Sequence, residues 1–314
     1  AFHSWRIPLL TVAALLVVEG GGVRTGGALV GAPALALRGT GDRVAGRLLL
    51  RRLQPADLRY LALVVGLLDV ISGTHARPVP TFRTVAPVEY VEIARSESDR
   101  GELVLRERRD ENAPTAIELR ANGLFVMDTL EVSTERALAS AALGLVEAPR
   151  AVVVGGPGLG FTMHEVLADH RVEKCAVVEI EQARVDWMRA GAVPHGPALL
   201  ADERVTVVVA DIAVALAEAP RASYDLILLD VDNGPDNLVH DTNAVLYEEL
   251  FLETARRVLR PGGVLAVWSA NPAHELEHTM ATVFGNAEAI GHDVLLQDRD
   301  ERFWLYVARV TSET

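Results

Sequence analysis

Apolar positions in this chain follow two periods, and the change from one to the other divides it. From Thr81 to about residue 130 they tend to alternate. Val85 to Ala94 alternates loosely and Glu102 to Arg108 more strictly, while Ala116 to Arg120 and Leu124 to Asp128 flank Ala121-Asn122-Gly123. A period of two marks a half-buried strand. Asn-Gly between two such runs is a strong hairpin signal, because a type I′ turn needs φ > 0 at both central residues. Ser133 to Leu145 then shifts to a helical period, with Ala137, Leu138, Ala141, Ala142 and Leu145 on one face. Residues 81–145 are read as a small antiparallel β domain plus a linking helix.

Strict β–α alternation follows. Strands are predicted at 151–154, 174–180, 205–210, 224–230 and 263–269, with helices at about 159–169, 181–190, 211–219 and 244–259. Leu226-Ile227-Leu228-Leu229 is apolar on both faces, as a buried parallel strand must be. Pro261-Gly262-Gly263 is read as ending the last of these helices. The tail is read as a helix over 273–284 and strands at 290–296 and Arg302 to Val310, joined by the polar turn Asp298-Arg299-Asp300. Residues 146–314 therefore form an α/β, Rossmann-like domain: a parallel sheet closed by a terminal antiparallel hairpin.

Residues 1–80 show no comparable order. Ile7 to Val18 is apolar but shorter than the roughly 20 residues that span a bilayer. The Gly20-Gly21-Gly22 after it is not a small-x-small cleavage site. Gln54-Pro55-Ala56-Asp57 can start a helix with Leu58 to Ile71 as its body. No function is assigned to this head.

Charge reinforces the division. Residues 1–80 carry nine Arg against four acidic residues, whereas residues 81–314 carry 21 Lys/Arg against 39 Asp/Glu. The whole chain has a net charge of −13. That argues against nucleic acid and against an anionic membrane surface as partners of residues 81–314. The single Cys175 lies within a predicted strand and has no internal partner, so a reducing cytoplasm is the expected compartment.

The candidate chemistry gathers where predicted strands end. Ala151 to Val154 runs into Gly155-Gly156-Pro157-Gly158-Leu159-Gly160, a strand–glycine turn–helix unit. Such a turn lets a ligand approach the backbone, and the following helix points its first N–H groups at that ligand. The second strand ends on Glu179, followed by Ile180, and a carboxylate there can accept from both hydroxyls of a ribose. The third ends at Ala210, with Asp211 and Ile212 next. Asp211 could accept from an adenine amino group or cap the next helix. The fourth ends at Asp230, in the acidic stretch Asp230-Val231-Asp232-Asn233-Gly234-Pro235, which leads to His240 and Tyr247.

These pieces together resemble the spermidine synthase family of aminopropyltransferases, over residues 83–310. The resemblance rests on the β domain with its Asn122-Gly123 hairpin, the strand into Gly155-Gly156, Val178-Glu179-Ile180, Asp211, Tyr224 to Asp230, and Leu259-Arg260-Pro261-Gly262-Gly263-Val264-Leu265. The last two also occur across class I methyltransferases that use S-adenosylmethionine (SAM). The resemblance implies a SAM-type nucleoside as co-substrate, decarboxylated SAM or SAM, held by Gly155, Glu179 and Asp211. It also implies an acidic loop at 230–235 that binds and deprotonates a small-molecule amine, no metal, and a homodimer by analogy. The chain departs from the family in its glycine turn, where the Asp that holds the donor's aminopropyl ammonium is replaced by Gly158. The family's Tyr-His pair is absent from Glu131 to Leu138.

Three functions stay open on these residues: aminopropyl transfer, methyl transfer, and nucleoside binding without transfer. Gly156, Gly158 and Gly160 complete the expected nucleoside cradle, with Asp230 beside the transferred group. Asp232 is expected to reach outward as general base, with His240 as the competing base and Asn233 and Tyr247 on the acceptor. His274 and His278 stand at i, i+4 without an HExxH pattern, so they read as a solvated helix face. Trp187, Trp268 and Trp304 read as packing residues. No G-x-S-x-G motif occurs. Since the strand-end candidates all lie beyond residue 150, a chain beginning near Thr81 is expected to fold and to keep its thermal stabilisation by SAM. Loss of that stabilisation on removing residues 1–80 would place the head within the binding unit.

Overall fold

The computed structural model describes residues 88–311 apart from Asp298, all within one compact unit, Ala86–Thr314. The helix expected over 54–71 and the apolar run at 7–18 lie outside the described residues. So does the start of the strand expected from Val85.

Four strands form an antiparallel meander in the order β1-β2-β3-β4: β1 Glu89–Ser98, β2 Gly101–Asp110, β3 Ala113–Ala121 and β4 Leu124–Asp128. The Asn-Gly signal is realised between β3 and β4, with Asn122 at φ 51° and Gly123 at φ 75°. Helix α1, Ser133–Leu145, has the predicted limits. It buries Leu138, Ala139 and Ala142 against the larger sheet and its next helix.

That larger sheet has seven strands in the order β10-β11-β9-β8-β5-β6-β7. These are β5 Ala151–Gly155, β6 Lys174–Glu179, β7 Val205–Val209, β8 Tyr224–Leu229, β9 Leu259–Ser269, β10 Glu288–Leu296 and β11 Arg299–Arg309. Strands β5 to β9 are parallel to their neighbours, and β10 and β11 close the edge antiparallel. The connecting helices are α2 Phe161–Ala168, α3 Gln182–Ala190, the short α4 Gly196–Leu200, α5 Ile212–Glu218, α6 Glu249–Val258 and α7 His274–Phe284. Strand order reverses between β5 and β8. That is where an open parallel sheet leaves a crevice for a ligand.

Three expectations need correction. The helix expected over 244–259 divides into a 3-10 turn, Asp241–Tyr247, and α6, with Glu248 extended at ψ 157° between them. The Asn243 side chain donates to the Asp232 carboxylate at 2.7 Å, which ties the first part to the preceding loop. Strand β9 begins at Leu259 rather than residue 263, with a register break opposite Tyr224 and Leu226 accommodating Pro261. Arg299 and Asp300 belong to β11, paired with Leu296 and Leu295, so the turn is tighter than expected and starts at Gln297 with φ 49°.

The motif pieces meet at both ends of the sheet. At the base, Asp225 accepts from the Ala151 amide at 2.8 Å and from Arg260 at 2.7 Å, joining β5, β8 and β9. At the opposite end, the Gly155 carbonyl accepts from the Asp230 amide at 2.9 Å, and the Gly156 amide donates to Val178 at 3.0 Å. Gly156 has φ 77°, and a Cβ there would lie 2.2 Å from the Asp230 carbonyl oxygen. Glycine is thus required for the crossing of two chain segments as well as for the backbone angle.

The small sheet and one face of the large sheet share a core. Leu105, Leu119 and Met127 lie in one buried cluster with Leu138, Val152, Leu159, Met163 and Leu228. Polar contacts fix the same junction: Arg100 Nε meets Glu181 Oε1 at 2.8 Å and Arg100 Nη2 donates to the Ile180 carbonyl at 3.1 Å.

Gly156→Ala should cost at least about 2 kcal/mol, since the left-handed angle alone costs an L-residue roughly 1–2 kcal/mol and the clash adds to it. In a unit of this size that is a fall in Tm of roughly 4–8 °C. Gly144→Ala, on an open part of α1 with nothing within 4 Å, is the control and should hold or raise Tm. Equal melting of the two variants would show that the crossing is not tight.

Candidate active site

Each strand end carries its expected residue, but the side chains are differently engaged than the sequence suggests. The turn from Gly155 to Gly160 is buried throughout. Gly158 has φ 52°, and a Cβ there would stand 2.6 Å from Met127 Sδ. That sulfur also accepts from the Leu159 amide at 3.2 Å. The thioether of β4 therefore covers the position at which the resemblance would place a carboxylate.

Glu179 is buried. Its Oε1 accepts from the Glu181 amide at 2.7 Å and its Oε2 pairs with Arg184 Nη1 at 3.0 Å. Ile180 is half-buried beneath Arg100. Asp211 is exposed and caps α5, its Oδ1 accepting from the Ala213 amide at 2.7 Å, so the capping alternative is realised. Ile212 packs under Gly155.

The loop after β8 departs most from expectation. Asp232 does not reach outward: it is buried, Oδ1 accepts from the Asn233 and Val239 amides at 2.8 and 2.6 Å, and Oδ2 accepts from Asn243. A carboxylate surrounded by donors in this way is a loop organiser. His240 is half-buried before the 3-10 turn. Tyr247 is buried, and burial, followed by the charges of Asp232 and Asp230, keeps its phenol protonated.

Asp230 is the carboxylate left at the crevice. Thr162, at the start of α2, donates to its Oδ2 at 2.8 Å. Burial pushes Asp230 up to about 6, against the Thr162 hydrogen bond and the positive charge of Arg184, which hold it down. Close by is Glu135, in the first turn of α1 and only 6% exposed. Burial first, then the charge of Asp230, pushes Glu135 up to about 8. Sequence reasoning missed Glu135 because an acid in a helix's first turn is ordinarily a solvated partner of the helix dipole. It lies in the helix before the parallel sheet, far in sequence from Asp230, and no spacing relates the two.

Glu135 opens into a cavity of about 210 Å³ among β4, the α1 entrance, the loop after β8 and the terminal hairpin. Its lining includes the carboxyls Asp128, Glu131, Glu135 and Glu301, the amides Asn233, Asn237 and Asn271, and the rings Phe125, Trp268 and Phe303. It contains no Lys, Arg or His. Asp128 is paired with Arg108 at 3.2 Å, while Glu131, Glu135 and Glu301 have no ion-pair partner among the described residues. Of the residues expected on the acceptor, Asn233 lines this space and Asp232 and Tyr247 do not; Asp230 and His240, expected beside the acceptor, also lie outside its lining, as do the nucleoside candidates Gly155 to Gly160, Glu179 and Asp211. Trp268, expected only to pack, stands edge-on to Phe303 at 5.0 Å and forms a wall of the cavity. His274 and His278 lie on the exposed face of α7, as expected. Among the described residues no group of three or more His, Cys, Asp or Glu is placed to hold a metal, and no helix is long and apolar enough to cross a membrane. Burial pushes the Cys175 thiol up to about 12 and leaves it unreactive.

The Spermine/spermidine synthase domain matches residues 131–292, more than half of the 314-residue chain. The chain belongs to the spermine/spermidine synthase family. Within that family it is 37% identical over 123 residues to putrescine N-methyltransferase 3 of Nicotiana tabacum, covering 39% of this chain and 31% of that protein. It is 28% identical over 153 residues to the polyamine aminopropyltransferase of Saccharolobus solfataricus, covering 47% of this chain and 50% of that one. The chain thus spans about a third to a half of the length of these relatives. In fold it matches a spermidine synthase solved with the transition-state analogue AdoDATO, with TM-score 0.60 and 18% identity over 71% of this chain and 75% of that one. The spermidine synthase of Thermotoga maritima gives TM-score 0.58 at 18% identity, over 71% and 74% of the respective chains.

The Glu135 shift carries a signed consequence for stability. Its folded value, about 8, lies above the ordinary carboxylate value of 4.5, so the folded state retains a proton that the unfolded chain releases. Stability should therefore fall as pH rises from about 4.5 to about 8 and then level off. Glu135→Gln removes this contribution and should flatten the dependence of Tm on pH across that window. An equally steep fall in the variant would assign the lost proton to another group.

Proposed function

We propose that this protein is a transferase that moves an alkyl group from a SAM-type sulfonium nucleoside to a small amine. The observation that carries the reading is the acidic cavity into which Glu135 opens. Its unpaired carboxyls would be costly to keep charged in a confined space, and a cationic ligand is the natural complement. Aromatic faces add cation–π attraction. Its volume of about 210 Å³ lies below the roughly 300–1,000 Å³ of sites for drug-sized ligands, which suits a small acceptor rather than a nucleoside. The family's fold supplies the nucleoside side of the crevice, with Glu179 toward the ribose and the turn from Gly155 to Gly160 beneath it.

Transfer requires an amine with a free lone pair in line with the carbon bound to sulfur. Asp230 is suited to take the ammonium proton: it is ionised above about 6, yet more basic than an ordinary aspartate. The nitrogen then attacks, the carbon–sulfur bond breaks, and its electron pair stays on sulfur. Asp232 holds the loop in shape, and His240 is the alternative base.

A methyl group is the better supported cargo than an aminopropyl group. The favouring observation is Gly158, where Met127 occupies the space from which a carboxylate would hold an aminopropyl ammonium. The relative that is 37% identical is named for N-methylation, the one at 28% for aminopropyl transfer.

Incubation with SAM or decarboxylated SAM and a panel of amines, read by mass, separates methyl transfer, aminopropyl transfer and no transfer. Asp230→Asn should lower kcat by roughly 10²–10⁴-fold and remove the acidic limb of the pH–rate profile near 6. Asp232→Asn should act mainly on stability and KM. Retention of full turnover in Asp230→Asn together with its loss in His240→Ala would transfer the base role to His240.

A further inference from the structure

One segment of the chain holds Asp230 twice. We propose that Thr162 is the positioning residue of Asp230: its hydroxyl anchors one oxygen of the carboxylate and leaves the other as the atom that takes up a proton. This rests on the transferase reading above, in which Asp230 is the base, and adds what sets that base in place.

The glycine turn first meets Asp230 through the backbone, where the Asp230 amide donates to the Gly155 carbonyl at 2.9 Å. The same turn then enters α2, and Thr162, its second residue, donates to Asp230 Oδ2 at 2.8 Å. Main chain and side chain of Asp230 are thus both held from within residues 155–162. A Thr hydroxyl inside a helix ordinarily bonds back to the carbonyl three or four residues before it. For Thr162 those residues are Leu159 and Gly158, which precede α2, and the hydroxyl reaches across to the end of β8 instead. It has one proton and two oxygens near it, Asp230 Oδ2 at 2.8 Å and the Glu135 main-chain carbonyl at 3.4 Å. The first distance is normal for a bond between oxygens and the second is long, so the proton goes to Asp230. Thr162 is only 1% exposed, which shields that bond from water, and its branched Cβ restricts rotation. Asp230 Oδ1 accepts from no donor among the described residues.

A hydrogen bond donated to a carboxylate favours its ionised form. Burial acts on Asp230 in the opposite direction, and Thr162 is the larger of the two influences that oppose burial, ahead of Arg184. The titratable groups that face Asp230 are Glu135 on α1, Arg184 on α3 and Tyr247 at the end of the 3-10 turn. Glu135 keeps its proton up to about 8, Tyr247 stays a neutral phenol and Arg184 stays charged, so none of the three changes charge near 6, where Asp230 does. In transfer, R–NH3⁺ gives a proton to Oδ1, leaving R–NH2 and the neutral acid, while the Thr162 bond to Oδ2 persists. The nitrogen lone pair forms the new carbon–nitrogen bond, the electron pair of the carbon–sulfur bond stays on sulfur, and Oδ1 returns its proton to solvent.

The test follows Asp230 directly, by titrating the aspartate carboxyl signals in carbon-13 NMR with Asp230→Asn to identify its signal. Turnover of SAM with butane-1,4-diamine is measured separately. In the wild-type chain the Asp230 signal should titrate near 6. Thr162→Val, close in shape but without the hydroxyl, should raise that midpoint by about one unit, and Thr162→Ser should return it. Thr162→Ala gives the same reading should the valine variant melt too early to titrate. In turnover the acid limb should move up with the midpoint. At pH 5, below both midpoints, kcat should then fall about tenfold in Thr162→Val while KM for the diamine stays within about twofold. A midpoint unmoved in Thr162→Val would overturn the proposal. A serine variant that behaves like valine would overturn it too, since packing and not the hydroxyl would then be at work. A midpoint that moves as expected in a chain that forms no product would sustain the hold of Thr162 on Asp230 and defeat the transferase reading. Product formation with an acid limb that Thr162→Val leaves in place would defeat the proposal and leave transfer standing.

Discussion

The site depends on one close crossing. The turn after β5 passes the loop after β8 so tightly that Gly156 has no room for a side chain against the Asp230 backbone. Hydrogen bonds from Asp230 to Gly155 and from Gly156 to Val178 lock the ends of β8, β5 and β6 together. The sheet reverses its order there, so helices diverge on either side and leave a crevice. The crossing fixes where Asp230 leaves the sheet, and Thr162 on the outgoing helix then fixes its carboxylate. Chemistry at this site is a consequence of backbone contact between two strands distant in sequence.

The recognisable sequence pieces separate into those that build the sheet and those that face the crevice. Asp225 and Arg260 are charged and sit in two of the stretches that carry the family resemblance. They meet at the base of the sheet instead, tying β5, β8 and β9. Asp232 likewise spends its carboxylate on the amides of its own loop and on Asn243. Glu179 is engaged in the same way, by the Glu181 amide and Arg184, so the carboxyls not tied into the scaffold are a smaller set, Glu131, Glu135 and Glu301 of the cavity, with Asp230 held only by Thr162. The glycine turn itself is held without a carboxylate. Met127 fills the space from the small sheet, and its sulfur satisfies the Leu159 amide.

Most of the fold was legible because burial imposes periodicity. The two-residue period, the Asn-Gly turn and the apolar run of β8 each follow from local chemistry, and α1 has the limits its pattern predicts. Elements read less well where a tertiary contact outweighs local preference. Asn243 bound to Asp232 divides the helix expected over 244–259, and the pairing of Leu259 with Tyr224 starts β9 earlier than its proline suggests. The positions of the strand-end residues were legible because topology places them, but the partners of their side chains were not: Asp211 caps a helix and Asp232 turns into its own loop. The setting of Glu135 was not legible either: it comes from α1 packing beside α2 and β8, contacts that no spacing along the chain reveals.

Magnitudes decide how Glu135 behaves. In the first turn of α1 the helix dipole favours its ionised form, an effect of roughly 0.3–1 kcal/mol when exposed and up to about 2 kcal/mol when partly buried. Against this stand burial and the charge of Asp230, which raise the carboxyl from 4.5 to about 8. At about 1.4 kcal/mol per unit, that opposing effect is on the order of 5 kcal/mol. Burial and the neighbouring charge therefore win, and Glu135 is favoured in its neutral form. A cation entering the same space reverses the balance, because it removes the reason for the proton to stay. The acidity of the cavity and the unfavourable burial of its carboxyls are thus one property: a carboxyl that is costly to charge alone is less costly to charge beside a cation.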